Sequence, residues 1–241
     1  MSAGAGKLIV ADRLETRIVD YDWRFVRERG DEIDAHWRRR LGENPKLYDG
    51  PMMLACGVEE RLDADGGRTL SVDFFETRFS RFLAWRDFGF PGDGALNCFA
   101  MAALRSADGA FLLGEMGPGH SVAGSIYFPA GTPDLSDVKD GGVDLSGSVA
   151  RELAEETGLI PGPGDAASHW AVVFEGPRVA CMKIIQSRED AATLKARVEA
   201  FIASDSDPEL SAIHMISRRD QLDHPGLPGF MRRFLDAALT A

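Results

Sequence analysis

Three glutamates stand close together in the second half of the chain, at a spacing that suits shared chemistry. Residues 151–159 read RELAEETGL, so Glu152, Glu155 and Glu156 occupy positions i, i+3 and i+4. On a helix these positions lie on one face. Gly158 is expected to end the helix, because glycine readily adopts the left-handed conformation of a C-cap. The pattern therefore predicts a short helix that presents three carboxylates together.

The alternative interpretation of this cluster is a solvated acidic face, and electrostatics argue against it. The C-terminal end of a helix carries a negative partial charge, which disfavours each anion there by roughly 0.3–1 kcal/mol. Like charges at i, i+4 add a further penalty. A bound divalent cation removes this conflict, and carboxylates without histidine or cysteine suit Mg²⁺ or Mn²⁺ better than zinc. Because Mg²⁺ usually joins a few carboxylates to substrate phosphates, the cluster predicts a phosphate-containing substrate.

The rest of this helix is expected to pack against the protein. The opposite face consists of apolar and small residues, namely Val149, Ala150, Leu153, Ala154 and Thr157. Ser146 and Ser148 are both candidates for the N-cap, because a serine hydroxyl accepts a hydrogen bond from the backbone N–H groups of the first turn.

The same run resembles the second half of the Nudix box, the metal-binding motif of the Nudix hydrolase family. That half reads Arg-Glu-aliphatic-x-Glu-Glu-x-Gly-aliphatic, and residues 151–159 match every defined position. The resemblance implies that the three glutamates hold Mg²⁺ or Mn²⁺. It also implies that Arg151 orients them through an ion pair and that Gly158 lets the chain turn. The implied reaction is in-line attack by water on a phosphorus of a diphosphate, with the metal lowering the pKa of the water.

The first half of the box departs from the family pattern, which has a glycine, five further residues and then a glutamate. Counting back without gaps places Asp137 at the glycine, so the ungapped alignment fails. With Gly131 as the box glycine, Asp137 takes the glutamate position, and the loop up to the helix is longer than in the family. Asp140 and Asp144 are alternatives for this accessory carboxylate.

Hydrolysis also requires a group that takes the proton from the attacking water. In this family the base lies either on the box or on a distant loop. Glu209 lies in an acidic loop before a predicted strand and is the candidate outside the box. The alternative interpretation of Glu209 is an exposed loop acid without a catalytic role.

The chain is expected to divide into an N-terminal extension at residues 1–90 and a Nudix hydrolase domain at residues 91–241. Extensions in this family often shape substrate choice or dimerisation, so a homodimer is a candidate assembly. Residues 36–51 are similar to the N-terminal part of the Nudix diphosphatases that act on UDP-glucose and UDP-galactose.

Three residues of the extension are candidates for binding the substrate: Arg38, Tyr48 and Arg86. Arginine suits phosphate, and an aromatic ring can stack on a nucleobase. The alternatives are solvated helix charges for the arginines and a packing or loop-anchor role for Tyr48. The glycine-rich segment at residues 114–120 is a candidate lining of the cleft, while a structural role is expected for the single histidines His120 and His214.

Charge and cysteine content exclude several classes of protein. The formal net charge of −11 argues against nucleic acid as a partner, because a binder of the phosphate backbone needs a basic face. Cys56, Cys98 and Cys181 lie far apart and show neither a disulfide nor a zinc spacing. No apolar run approaches the roughly 20 residues that cross a membrane. These features predict a cytoplasmic protein without membrane or nucleic-acid partners. The resemblance to the Nudix family implies a small nucleoside diphosphate derivative as its ligand.

Strands and helices are predicted to mix without a regular βαβ repeat. Helices are expected at residues 22–41, 77–87, 146–158, 188–203 and 229–238. Strands are expected at residues 52–62, 69–75, 97–105, 110–116, 126–128, 169–175, 178–186 and 211–217, and a strand or extended chain is expected at residues 8–19. This mixture favours an α/β (α+β) fold, a sandwich rather than a barrel or a doubly wound sheet. The resemblance to the Nudix family implies an α/β/α sandwich around a mixed sheet, preceded by an α+β extension.

The function implied by the resemblance is Mg²⁺-dependent cleavage of the diphosphate linkage in a nucleoside diphosphate derivative, with an NDP-sugar such as UDP-glucose as one candidate. ADP-ribose and CoA derivatives are alternative substrates. The alternative to an enzyme is a non-catalytic Nudix-fold sensor, and the intact glutamates favour the enzyme. A relative of isopentenyl-diphosphate isomerase would need a dedicated cysteine and glutamate pair, which the scattered cysteines do not indicate.

Overall fold

The computed structural model describes residues 6–92, 94–118, 122–162 and 165–239. The chain forms two compact units that interleave along the sequence. Unit 1 consists of the described residues within Met1–Arg13, Phe99–Gly131 and Leu145–Ala241, and unit 2 of those within Leu14–Cys98 and Thr132–Asp144. The functional boundary expected at residue 90 stays a prediction.

The helices of the described residues are α1 (Arg24–Glu43), α2 (Phe79–Asp87), α3 (Leu145–Thr157), α4 (Ala191–Ser204) and α5 (Gly229–Ala238). The strands are β1 (Lys7–Ala11), β2 (Arg13–Ile18), β3 (Pro51–Leu62), β4 (Arg68–Arg78), β5 (Asn97–Arg105), β6 (Phe111–Met116), β7 (Ile126–Tyr127), β8 (Ala130–Gly131), β9 (Val138–Lys139), β10 (Gly142–Val143), β11 (Ala166–Glu175), β12 (Arg178–Gln186) and β13 (Leu210–Ile216). None of the helices in the described residues has the length and hydropathy that crossing a membrane requires.

Unit 1 is built on a mixed sheet with the strand order β1-β11-β12-β5-β6-β13. β1 lies antiparallel to β11, β11 to β12, and β6 to both β5 and β13. β12 and β5 run in the same direction, because the N–H of Ser187, just after β12, donates to the carbonyl oxygen of Arg105 at the end of β5. The short strands β7 and β8 pair with β6 and β5.

Helices cover both faces of this sheet. On one face, α5 packs Phe230 and Phe234 into a cluster with Phe111 and Leu113 of β6. Leu112 lies between those two residues, so strand alternation turns it to the opposite face, where it is fully buried. The buried residues of α3 and α4 do not belong to the α5 cluster, although α4 contacts β6 and β13 and α3 contacts β8. The arrangement is an α/β/α sandwich, and the predicted α+β fold class is confirmed.

Unit 2 has a sheet and an aromatic core of its own. Its strand order is β2-β4-β3, and β3 and β4 form an antiparallel hairpin. Gly66 lies in the turn of this hairpin with a φ of +83°, a conformation that suits glycine. The core joins the start of α1, β4 and α2 through contacts between Trp23, Phe75 and Trp85.

Two of the differences from the prediction in the N-terminal half follow from strand pairing. The strand predicted at residues 8–19 is divided at Asp12, because β1 pairs with β11 in unit 1 whereas β2 pairs with β4 in unit 2. The helix predicted from Thr77 begins at Phe79, because β4 stays paired with β3 as far as Arg78.

The start of α3 also differs from the prediction. The helix begins at Leu145, so neither Ser146 nor Ser148 is its N-cap. Ser148 is instead buried inside the helix, and its hydroxyl oxygen has no hydrogen-bond partner. The preceding segment, predicted as a loop, contains a 3-10 helix at Leu135–Asp137 and the hairpin of β9 and β10.

Candidate active site

The helix α3 is amphipathic, and its apolar face holds it against the sheet. Val149, Leu153 and Thr157 are buried, as the spacing predicts. Ala150 is exposed, so its predicted packing role is wrong, and the buried face is narrower than expected on that side. Ala154 is half-buried.

Gly158 ends α3 as predicted. Its φ is +67°, and its N–H donates to the carbonyl oxygen of Ala154 at 2.9 Å. A Cβ at this position would lie 2.5 Å from the ring of Phe201 in α4. Glycine is therefore required both for the left-handed backbone and for the close approach of α4.

The three glutamates of α3 line one cavity but differ in exposure. The side chain of Glu155 is 60% exposed and that of Glu152 is 14% exposed, while Glu156 is buried. Arg151 bridges the first two, with Nη1 lying 2.7 Å from Glu152 Oε1 and 3.2 Å from Glu155 Oε2. The structure thus places Arg151 where an orienting role requires it, and that role stays a prediction.

Glu156 is the most unusual of the three carboxylates. Its Oε1 accepts a hydrogen bond of 3.0 Å from the backbone N–H of Ala130, while its Oε2 is buried without a partner. Burial raises the pKa of the Glu156 carboxyl to about 8. The bond from Ala130 opposes this rise, and the nearby charges of Glu152, Glu209 and Glu155 add to it. A cation at Oε2 would supply the missing partner.

Gly131 lies against Glu152 at the end of β8. A Cβ on Gly131 would collide with Oε1 and Cδ of Glu152. Only glycine therefore lets β8 and the Glu152 carboxylate come this close. The residue chosen from the sequence as the box glycine contacts one of the box glutamates, although the two are far apart in the sequence.

The loop between α4 and β13 forms the other wall of the cavity. The cavity has a volume of about 210 Å³, and its lining includes Asp205, Asp207 and Glu209 as well as the three glutamates of α3. Glu209, the candidate base, therefore shares a cavity with the cluster, while its catalytic role stays a prediction. Asp205 and Asp207 were not singled out from the sequence, because a short acidic run between a helix and a strand is usually just a solvated loop.

Backbone contacts fix the position of this loop. The N–H of Gly117 donates to the carbonyl oxygen of Glu209 at 2.7 Å, and a Cβ on Gly117 would lie 3.0 Å from that oxygen. Asp205 Oδ1 accepts a hydrogen bond from the N–H of Asp207. Gly117 of the glycine-rich segment thus supports the loop, and the role of the segment in lining the cleft stays a prediction. The last residues of the segment, Gly119 and His120, lie outside the described residues.

The cavity fits a hard divalent cation by its donor set. All of its ionisable lining groups are carboxylates, and one carboxylate oxygen is buried without a partner. Mg²⁺ and Mn²⁺ prefer such oxygen ligands. Within the described ranges, no three Asp, Glu, His or Cys side chains already converge as a finished set of ligands. Glu152, Glu155 and Glu156 would hold the ion after side-chain adjustment around the cavity.

The candidate accessory carboxylates lie in unit 2 and have local contacts there. Asp137 is buried, and its Oδ2 accepts a hydrogen bond from the N–H of Asp134. Asp144 lies 2.7 Å from Lys139 Nζ, and Asp140 has a φ of +51° in the turn between β9 and β10. The contacts of Asp137 and Asp144 stabilise the enlarged loop, and a role for any of the three acids at the metal stays a prediction.

The three candidates for substrate binding in unit 2 occupy separate settings. Arg38 is exposed on α1, and Tyr48 is 78% exposed in the segment after it. Arg86, in α2, pairs with the neighbouring Asp87 at 3.0 Å. Their roles in binding stay predictions. His214, for which a structural role is expected, contacts Glu115 through Nε2 at 2.9 Å.

Comparisons with known proteins add a likeness in structure. No protein-family model and no curated protein matches the chain. Among solved structures, the MutT protein from Methanosarcina mazei Go1 matches 59% of this chain and 92% of its own, at 20% identity and a TM-score of 0.38.

Two further matches have similar scores. The Nudix domain of Shewanella oneidensis NrtR, complexed with ADP ribose, matches 61% of this chain and 87% of its own at 17% identity and a TM-score of 0.39. The Bacillus subtilis pyrophosphohydrolase BsRppH matches 76% and 87% at 12% identity and a TM-score of 0.37. With TM-scores below 0.5, these likenesses carry no conclusion about the activity of this chain.

Proposed function

We propose that this chain is a divalent-cation-dependent hydrolase, of the kind that the Nudix box denotes, that cleaves a diphosphate linkage. The observation that carries the proposal is the cavity in which Glu152, Glu155 and Glu156 meet Glu209. A helix built only for stability would place cations near its C-terminal end. Here three carboxylates occupy that end and one is buried with an unsatisfied oxygen.

Each residue of the cavity has a role in this proposal. Glu152, Glu155 and Glu156 would hold Mg²⁺ or Mn²⁺, and Arg151 would keep the first two carboxylates in position. Once bound, the cation offsets the charge of the diphosphate and makes the attacking water more acidic. Glu209 would accept the proton of that water, because it lines the same cavity as the glutamates of α3.

The acidic cavity also explains why a cation is needed at all. A diphosphate carries negative charge, and the net charge of the chain is −11. Without a cation, the carboxylates that line the cavity would repel such a substrate. A bound cation would remove this repulsion, so the two parts of the proposal, a divalent cation and a diphosphate substrate, are consistent with each other.

The finer part of the proposal concerns the substrate. We favour a nucleoside diphosphate derivative, with an NDP-sugar such as UDP-glucose first and ADP-ribose or a CoA derivative as alternatives. The preference for the sugar rests on residues 36–51, which are similar to the corresponding part of UDP-sugar diphosphatases. Arg38, Tyr48 and Arg86 remain the candidates that the sequence offers for binding the nucleotide. A cytoplasmic location and a homodimer belong to the same proposal.

The test is phosphate release from a panel of diphosphate compounds in the presence of Mg²⁺ or Mn²⁺. A coupled phosphatase would release phosphate from the products, and the panel would contain UDP-glucose, ADP-ribose and a dephospho-CoA derivative, because the 3′-phosphate of CoA itself would react with the phosphatase. Glu155→Gln keeps the shape of an exposed side chain and removes its charge, so it should abolish turnover while leaving the fold intact. Glu28→Gln is the matched control, because Glu28 is also an exposed helical glutamate that pairs with an arginine.

The outcomes separate an enzyme from a sensor. Turnover that is lost in Glu155→Gln and retained in Glu28→Gln supports the hydrolase, and the preferred compound identifies the substrate class. Saturable binding of a compound without turnover would replace the hydrolase with the non-catalytic sensor. Turnover that survives Glu155→Gln would contradict the assignment of this cavity as the active site.

A further inference from the structure

Unit 2 contains a second cavity that the proposed reaction does not use. It has a volume of about 190 Å³ and lies where the start of α1, the end of β4 and the start of α2 meet. Its lining residues are Tyr21, Asp22, Trp23, Val26, Arg27, Phe75, Glu76, Thr77 and Arg81. Aromatic rings and two guanidinium groups therefore surround one small space.

The aromatic part of the wall is held rigidly. The ring centroid of Tyr21 lies 4.7 Å from that of Phe75, and Trp23 meets Phe75 edge-on at 5.5 Å. Trp23 also packs edge-on against Trp85, which is buried behind it. A ligand ring would meet aromatic groups whose positions are already fixed, so little conformational entropy would be lost when it binds.

The charged groups of the cavity are not equivalent. Arg27 forms an ion pair with Asp22. Arg81 is half-buried at the start of α2, and no ion pair of Arg81 is found among the described residues. Glu76 is exposed, so water screens its charge. The cavity thus presents one guanidinium that is available to an anion.

Thr77 adds an unsatisfied polar group to the same wall. The residue is only 3% exposed, and its hydroxyl oxygen has no hydrogen-bond partner. Buried hydroxyl groups usually have one, because an unmade hydrogen bond is costly.

We infer that this cavity binds a small anion that carries a single aromatic ring. The anionic group pairs with the guanidinium of Arg81, and the ring lies against Tyr21 and Phe75. The volume admits one ring of six atoms with its charged substituent. The shared chemistry is that of an aromatic phosphate or carboxylate, and the cavity lies wholly within unit 2.

This site is independent of the proposed hydrolase activity. The carboxylate cavity needs a cation before it can accept an anion, whereas the unit 2 cavity has an arginine for that purpose. Binding in the presence of a chelator therefore reports the unit 2 cavity alone. If no binding is found in the chelator, the hydrolase proposal is unaffected. If no diphosphate is cleaved, the proposed binding in the unit 2 cavity is equally unaffected.

In the experiment, the full chain is titrated with phenyl phosphate in the presence of EDTA, and calorimetry measures the binding. Inorganic phosphate provides the charge without the ring, and phenol provides the ring without the charge. Saturable binding of phenyl phosphate is expected, with markedly weaker binding of the two fragments. Arg81→Met should weaken binding about tenfold or more, because a charged hydrogen-bonded pair is lost.

Matched variants make the result specific. Arg24→Met is the control for Arg81→Met, because Arg24 is also a helical arginine but pairs with Glu28 on the exposed surface. Arg81→Lys keeps the charge and should recover part of the affinity, which also covers the case in which Arg81→Met fails to fold. Binding should be unchanged in Glu155→Gln. An absence of saturable binding, or equal binding by Arg81→Met, would overturn the inference.

Discussion

The buried carboxyl of Glu156 holds its proton more tightly than an exposed glutamate does, and this links the stability of the protein to pH. The pKa is about 8 in the folded chain against 4.5 for the unperturbed side chain. As pH rises from 4.5 to 8, the unfolded chain releases this proton first. The free energy of unfolding therefore falls over that window, and the whole loss of stability is present above pH 8.

Replacing Glu156 with glutamine should remove this cost in the absence of a cation. We expect Glu156→Gln to be more stable than the native chain at about pH 9, by on the order of 1–3 kcal/mol, because a charged buried group without a partner is removed. At about pH 5 the difference should shrink, since most of the glutamate is then protonated in the folded state. Urea unfolding at both pH values in EDTA measures the difference.

Glu155→Gln is the control for this prediction. Its side chain is 60% exposed, so its charge is solvated and its removal should change stability little at either pH. If the difference in stability between Glu156→Gln and the native chain does not depend on pH, packing rather than charge determines that difference. Adding Mg²⁺ should raise the stability of the native chain more than that of Glu156→Gln, because ligands that bind only the folded state stabilise it.

Gly131 controls the position of the Glu152 carboxylate. In Gly131→Ala the new methyl group would occupy the place of Oε1 and Cδ of Glu152, and the flexible glutamate would move away. We expect a loss of activity of roughly 10–100-fold, the usual effect of disturbing a group that orients metal ligands. Assays at increasing Mg²⁺ concentration would measure it, with part of the loss recovered at high concentration.

The matched glycine is Gly42 in α1, where an added Cβ has nothing within 4 Å. Gly42→Ala should leave the activity unchanged. A large loss of thermal stability in Gly131→Ala would point instead to a backbone displacement of β8, and the proposed positioning role would then be wrong.

At the scale of the element, the end of α3 depends on Gly158 in two ways. The backbone is left-handed there, and α4 approaches through Phe201. Gly158→Ala should destabilise the chain by roughly 1–3 kcal/mol, from the backbone conformation together with the displaced ring. Gly176→Ala separates the two causes, because Gly176 also has a positive φ, +55°, but open space around it. Denaturant unfolding should show a larger loss for Gly158→Ala, and equal losses would contradict the role of Phe201.

The amphipathic pattern of α3 could be predicted from the sequence, but the exposure of each glutamate could not. Spacing places Glu152, Glu155 and Glu156 on one side of the helix, and all three do line the cavity. Glu156 directly precedes the buried Thr157, at the border of the apolar face, and the nearby β8 covers it. That cover comes from a distant part of the sequence, so periodicity contains no information about it.

At the scale of the whole molecule, local patterns predicted most elements and missed their long-range partners. Turn residues and apolar runs located β3, β4, β11 and β12. The division of the predicted strand at residues 8–19 depends on two partners, β11 and β4, that lie far along the chain. Likewise, nothing near Trp23 indicates that Phe75 and Trp85 complete its packing, so the unit 2 cavity was not predicted.

The pairing of β1 with β11 has a consequence for any shortened form of the protein. β1 is the outermost strand of its sheet, and it covers Ala171, Val172 and Val173 of β11, which are buried. Removing the first eleven residues would expose the unpaired N–H and C=O groups of an apolar strand, a template for pairing with another chain. We expect such a truncation to self-associate, and light scattering would detect higher-mass species that the full chain lacks. A truncated chain that scatters like the full one would mean that β11 is protected in another way and that β1 does not guard against aggregation.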